Sequence, residues 1–278
     1  MNGQLEGLSG LARTLEAPLE KPGVPLALVT GGKGGVGKST LALNLAIALG
    51  RSGQRVLLVD LDLGLGDLAV LLGLSPARTV EDFFERGRGL LECCTEIEGG
   101  VALLAAGSGS GDLARPDSAR RARLAAELRA VADRFDVVLV DSPAGIGPDV
   151  LAFAAAADCV LAVATPDPAS ITDAYGIVKA LDQHATRAGI DVPTPALVLN
   201  RVVSAGEADK VAERLAKITA RFLARRPRML GWLPESSAIQ RATRAQRAFL
   251  STSPTALCTQ NTTRLAKRLC SLLRLGAA

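Results

Sequence analysis

The stretch Gly32-Lys33-Gly34-Gly35-Val36-Gly37-Lys38-Ser39-Thr40 constrains this chain more than any other. It follows an apolar run and opens an alanine- and leucine-rich helical stretch, the context that a phosphate-binding loop requires. Its glycines let loop N–H groups converge on phosphate oxygens without Cβ obstruction. The N-terminus of the next helix adds the positive end of its dipole. Lys38 is placed to neutralise β- and γ-phosphates, Ser39 to offer its hydroxyl to Mg²⁺, and Thr40 to reach an α-phosphate.

The surrounding texture fits such a loop. From Pro25 onward, short β-branched or leucine runs at 26–30, 55–60, 101–105, 136–141, 159–165, 196–200 and 229–233 read as strands. Helical stretches at 38–50, 117–134, 170–188 and 207–225 are long enough for crossovers. Near-continuous apolar strands joined by helices predict an α/β fold: a mostly parallel, doubly wound P-loop sheet covered on both faces. One domain is expected over residues 25–250. Residues 1–24 read as a tether with a short helix, because leucines 5, 8, 11 and 15 recur at helical spacing before Pro18 and Pro22 break it. Residues 251–278 read as a C-terminal amphipathic helix.

Composition excludes several chemistries. A single histidine, His184, argues against triads and His-ligated zinc, and 3% aromatics argues against a stacking-type single-strand nucleic-acid binder. Five cysteines with no CxxC spacing point to reduced thiols. The N-terminus lacks the basic start and apolar block of a signal peptide, and no apolar run is long enough to span a bilayer. These features predict a cytoplasmic location.

Two carboxylate motifs complete the chemistry. Asp60 and Asp62 end one apolar strand at i and i+2, so they face the same side. Asp62 is positioned to orient an attacking water and to hold a Mg²⁺-bound water, with Asp60 supporting the metal shell and the lysines. Val137–Val140 followed by Asp141 reads as a Walker B strand whose aspartate holds Mg²⁺ through water. Gly145, just beyond it, is expected to sense a γ-phosphate through its backbone N–H.

Lys33 adds a second lysine near the loop's start, and this KGGxGK[ST] pattern resembles the deviant Walker A motif of the MinD/ParA ATPases. DLDLGLGDLAVLLGL, DSPAGIG, TPDPASITDAYGIVK, LVLNRV and GWLPESSAIQRATRAQRAF resemble the flagellar-number regulator branch, FlhG/FleN, over about residues 26–249. The resemblance implies an ATP hydrolase that pairs with a second copy of itself in the ATP state, Lys33 reaching the partner's nucleotide. It implies that Asn200 and Arg201 contact the adenine and that the turn at Leu233, Pro234 and Glu235 closes over the base. Asp67 stands where the family usually has Asn, and Ala69 where it usually has Asp.

The resemblance also speaks to the termini. Gln4, Glu6 and Leu8 half-match the helix through which such proteins stimulate the SRP-type GTPase FlhF; a plain tether is the other reading. The last helix carries Leu257, Leu265, Leu269, Leu272 and Leu273 near one face and Arg264, Lys267, Arg268 and Arg274 elsewhere. That pattern suits either reversible attachment to the anionic inner face of the cell membrane or packing on the domain. The alternatives to flagellar control are a MinD-type division-site ATPase and a ParA-type DNA or cargo partitioner. DNA binding is not expected, since the stripe of Arg241, Arg244 and Arg247 reads as a solvated helix face.

Overall fold

A computed structural model describes residues 19–63, 66–107, 117–223 and 225–276. The leucines at 5, 8, 11 and 15 and the half-match at 4–8 lie outside the described residues. The strands are β1 (Leu26–Thr30), β2 (Val56–Asp60), β3 (Thr95–Ile97), β4 (Val101–Leu104), β5 (Val137–Asp141), β6 (Cys159–Ala164), β7 (Ala196–Val202) and β8 (Met229–Pro234). The α-helices are α1 (Lys38–Arg51), α2 (Leu68–Leu71), α3 (Val80–Glu85), α4 (Ser118–Ala130), α5 (Pro148–Ala156), α6 (Pro168–Ala188), α7 (Ala205–Leu223), α8 (Ser237–Arg244), α9 (Phe249–Thr252) and α10 (Leu257–Leu273).

The strands form one sheet in the order β3-β4-β2-β5-β1-β6-β7-β8. Among the described residues β3 runs antiparallel to β4, and every other neighbouring pair is parallel. β1, β2 and β5 are buried at every residue because helices cover both faces, which is why they read as unbroken apolar runs. The chain moves outward from β1 in both directions. The crevice at the carboxyl ends of β1, β2 and β5 is therefore the topological switch point, where open α/β sheets bind ligands.

A small apolar cluster packs α7 and the start of α6 on β7, and two larger cores flank the sheet. One lies under α3, α4, α5 and α6, with Phe83, Leu124, Leu128, Phe153 and Ile177 fully or almost fully buried. The other lies under α1, α8, α9 and α10. Residues 41–49 of α1 are buried without a break because α10 covers the side that α1 would otherwise show to water.

α10 therefore shares the core of the sheet. Leu265, Leu269 and Leu273 are buried together with Leu41, Leu45 and Val29. Gly231 of β8 allows this approach, since a Cβ there would stand 3.0 Å from Leu265 Cδ1. Two leucines expected on that face are elsewhere. Leu257, twelve positions before Leu269 and so about 120° around the helix, is exposed. Leu272 lies over a cleft beside Lys21, Val24 and Pro25, also largely exposed. β3 was not legible in the sequence, being short and half polar, and its pairing with β4 closes one edge of the sheet.

Candidate functional site

The loop after β1 is built by contacts from three other elements. Gly37 takes φ +94° to start α1, and a Cβ there would meet Asn200 Nδ2 at 2.3 Å, so no side chain fits. Asn200, at the end of β7, donates from Nδ2 to Val36 O (2.8 Å), while its Oδ1 accepts from the Arg201 N–H (2.9 Å). Arg201 sits in the left-handed region (φ +57°) and donates from Nη2 to Gly35 O (2.8 Å). Sequence reasoning expected this pair to meet adenine. Their observed bonds clamp the loop, leaving the second Nδ2 hydrogen and the remaining guanidinium N–H groups for a base.

Gly32 has a reason that the motif alone did not reveal: a Cβ there would stand 2.2 Å from Asp173 Cβ in α6. Gly34 and Gly35 face open space, as glycines approached by phosphate must. Lys38 is buried at the start of α1, with Ser39 and Thr40 half-buried beside it. The Lys33 ammonium lies 3.1 Å from Asp167 Oδ1 of its own chain. Asp167 also accepts the Thr165 hydroxyl and the Ser170 N–H (2.9 Å), capping α6. Those two bonds and Lys33 hold its carboxyl down to about 2.

At the adjoining strand ends, Asp60 and Asp141 are register partners and both are buried. Their environments differ. Asp60 accepts the Asp62 N–H (3.0 Å) and the Leu68 N–H (3.2 Å), so each of its oxygens already bonds a backbone N–H beyond β2. Burial, then the charge of Asp141, pushes Asp60 well above the usual carboxylate range. Both Asp141 oxygens are buried with no hydrogen-bond partner. Burial raises Asp141 to about 7; the Ser39 hydroxyl, near it but outside hydrogen-bond geometry, and the Lys38 charge pull the other way, while Asp62 and Asp67 add to the rise.

The remaining expected residues are close by. Asp62 is half-buried two residues beyond β2, close enough for its charge to act on Asp60, Asp67 and Asp141. Gly145 (φ +92°) donates its N–H to Gly31 O (3.0 Å), so that bond must open before this N–H meets a phosphate. Asp67, at the start of α2, feels burial first, then the Asp62 charge, both of which raise its pKa, while Lys38 lowers it.

These elements enclose a cavity of about 560 Å³ lined by Lys38, Ser39, Thr40, Asn200, Arg201 and Pro234, among others. That volume suits a ligand of nucleotide size. Leu233 and Pro234 of β8 flank it as expected. Sequence reasoning missed the inner face of α8, where Ile239, Gln240 and Thr243 form a wall. Their i, i+1, i+4 spacing was the available signal. Of the arginine stripe, Arg244 lines the cavity, while Arg241 and Arg247 are exposed.

The donor set suits a phosphate-bound divalent cation. Among the described residues no group of three or more His, Cys, Asp or Glu forms a metal cage. The buried Asp141 carboxylate and the nearby Ser39 are instead a donor pair of the kind that fits Mg²⁺, which takes one or two protein oxygens with water and phosphate completing the shell. A buried carboxylate without a partner is costly, and a cation offsets that cost.

Residues 27–248 match the family model for the CobQ/CobB/MinD/ParA nucleotide binding domain. The chain is 38% identical over 233 residues to the antiactivator FleN of Pseudomonas aeruginosa, covering 83% of this chain and 81% of that one. It is 33% identical over 250 residues to the flagellum site-determining protein YlxH of Helicobacter pylori, covering 90% and 83%. Among solved structures, the cell division ATPase MinD of Pyrococcus furiosus superposes with a TM-score of 0.70 at 25% identity, covering 89% and 99%.

Proposed function

The chain belongs to the CobQ/CobB/MinD/ParA nucleotide-binding family, and from that premise we propose that it is an ATP-hydrolysing, dimerising switch that regulates the number and placement of flagella. The observation that carries the flagellar reading is similarity to FleN and YlxH over more than four-fifths of each chain.

In this reading ATP binds with its phosphates in the loop from Gly32 to Thr40 and its base between Asn200, Arg201 and Pro234. Ser39 would hold Mg²⁺ directly, with Asp62 and Asp141 acting through water. Bound Mg²⁺ would supply charge neutralisation of the phosphates. Lys38 draws charge from the phosphates within one chain. Asp62 orients the attacking water, and its half-buried place at the end of β2 suits that work. Lys33 exchanges Asp167 for the phosphates of a second copy, so pairing of two chains and breaking of an exposed ion pair occur together. Exposed ion pairs of this kind contribute at most about 1 kcal/mol, an exchange that nucleotide contacts can drive.

Among the described residues no helix is long and apolar enough to cross a membrane. We infer peripheral attachment to the inner membrane face. α10 contains no acidic residue, and Arg264, Lys267 and Arg268 are exposed on its outer side with Arg274 just beyond. That face supports attraction to anionic lipid while Leu265 and Leu269 stay in the core. The N-terminal segment is proposed to engage an FlhF-type GTPase.

Expression in Pseudomonas aeruginosa lacking FleN tests the flagellar reading. Restoration of the flagellar count by the parent, and not by Lys38→Gln, is expected. No restoration, together with ATP-dependent co-sedimentation with DNA, would favour a partitioning ATPase instead.

A further inference from the structure

Asp67 occupies the N-cap position of α2, yet its carboxylate makes no capping bond. It lines the nucleotide cavity beside Lys38 and Ser39. A carboxylate without a capping role, placed where a polyphosphate is to sit, repels that ligand and draws on the charge of Lys38.

α2 is strapped at both ends. At its start the Leu68 N–H donates to the buried Asp60. Near its end Gln246, in the turn after α8, donates from Nε2 to Val70 O (3.0 Å). Gln246 adopts φ +51°, a left-handed conformation that a side-chain-bearing residue takes at a cost. Gly73 makes room for it: a Cβ at 73 would lie 3.2, 3.3 and 3.4 Å from Gln246 Oε1, Cβ and Cδ. The strained turn thus delivers one side chain onto α2. The helix before that turn, α8, forms the opposite wall of the same cavity.

We propose that Asp67 sets the affinity of the site by opposing polyphosphate, and that Gln246 is the positioning residue that holds Asp67 there through α2. The inference rests on the nucleotide reading above and extends it with a built-in weakening of phosphate affinity, which keeps bound nucleotide exchangeable. The sign follows from charge. Removing the carboxylate takes away one of the negative charges that compete with phosphate for Lys38, so binding tightens, and more for a triphosphate than for a diphosphate.

The test is a double-mutant cycle read by calorimetry with Mg-ATP and Mg-ADP at low and physiological salt. Asp67→Asn should bind ATP roughly two- to tenfold more tightly than the parent, the range for a partly solvated charge pair. The gain should be smaller for ADP and should shrink as salt rises. Gln246→Gly, which relieves the backbone strain and so should fold, is expected to tighten ATP in the same direction. In the Asp67→Asn background it should add nothing. Unchanged or weaker ATP binding by Asp67→Asn overturns the proposal and points to recruitment of the cation by that carboxylate. Full additivity of the two substitutions overturns the positioning role of Gln246. A parent that binds neither nucleotide overturns the nucleotide reading and this inference with it.

Discussion

Aspartates 60, 62 and 141 look alike in the sequence and are given different work by their surroundings. Asp60 spends both oxygens on backbone N–H groups, Asp141 spends neither, and Asp62 stands half-buried just beyond β2. Asp62→Ala is therefore expected to bind ATP near the parent affinity while hydrolysing it at least about 100-fold more slowly, roughly 2.7 kcal/mol of barrier. Parent-like turnover in that variant would move water orientation to another group. Asp141 gives a pH signature. Its folded pKa, raised from 3.8 to about 7, means that the folded chain holds this proton more tightly than the unfolded chain does. Stability without metal should then fall as pH rises from about 4 to about 7, opposite to the usual acid loss at a paired carboxylate. Melting curves in EDTA should show that decline, and Asp141→Asn should reduce it, leaving the part that comes from the buried Asp60. The motif letters located these residues. The division of labour depends on which oxygens meet N–H groups across the turn after β2, and no spacing rule encodes that.

At the scale of elements, the strands flanking the cleft were legible because burial on both faces leaves an unmistakable apolar run, as in Val137–Val140. β3 escaped because Thr95 and Glu96 on an edge strand need no such pattern. The loop clamp by Asn200 and Arg201 escaped too: it joins residues more than 160 positions apart, and only the sheet, with β6 alone between β1 and β7, brings them together. α10 is the element whose two readings the sequence left open. Its leucine spacing is the same for a face on lipid and a face on a domain, and the packing against α1 and β8 is what separates them. Leu269→Ala should cost about 2–5 kcal/mol, as for other fully buried leucines, and lower the melting temperature by many degrees. Lys267→Glu with Arg274→Glu, two exposed residues, should instead spare stability and abolish flotation with anionic vesicles at low salt. Unchanged flotation in that pair would remove the outer face of α10 from membrane attachment.

For the whole molecule, the doubly wound sheet follows from alternation of apolar strands with helical crossovers, and the switch point then fixes where a nucleotide can lie. What a single chain does not contain is the second phosphate-facing lysine that Lys33 would lend to a partner; here Lys33 is paired within its own chain to Asp167. A dimer that forms only with ATP is thus the central claim. Size-exclusion chromatography with light scattering on Asp62→Ala, with and without Mg-ATP, tests it most directly. The expected result is a monomer without nucleotide, a dimer with Mg-ATP, and a monomer in both conditions once Lys33→Ala is added. A dimer that persists in the double variant, or a mass that ignores ATP altogether, would contradict it.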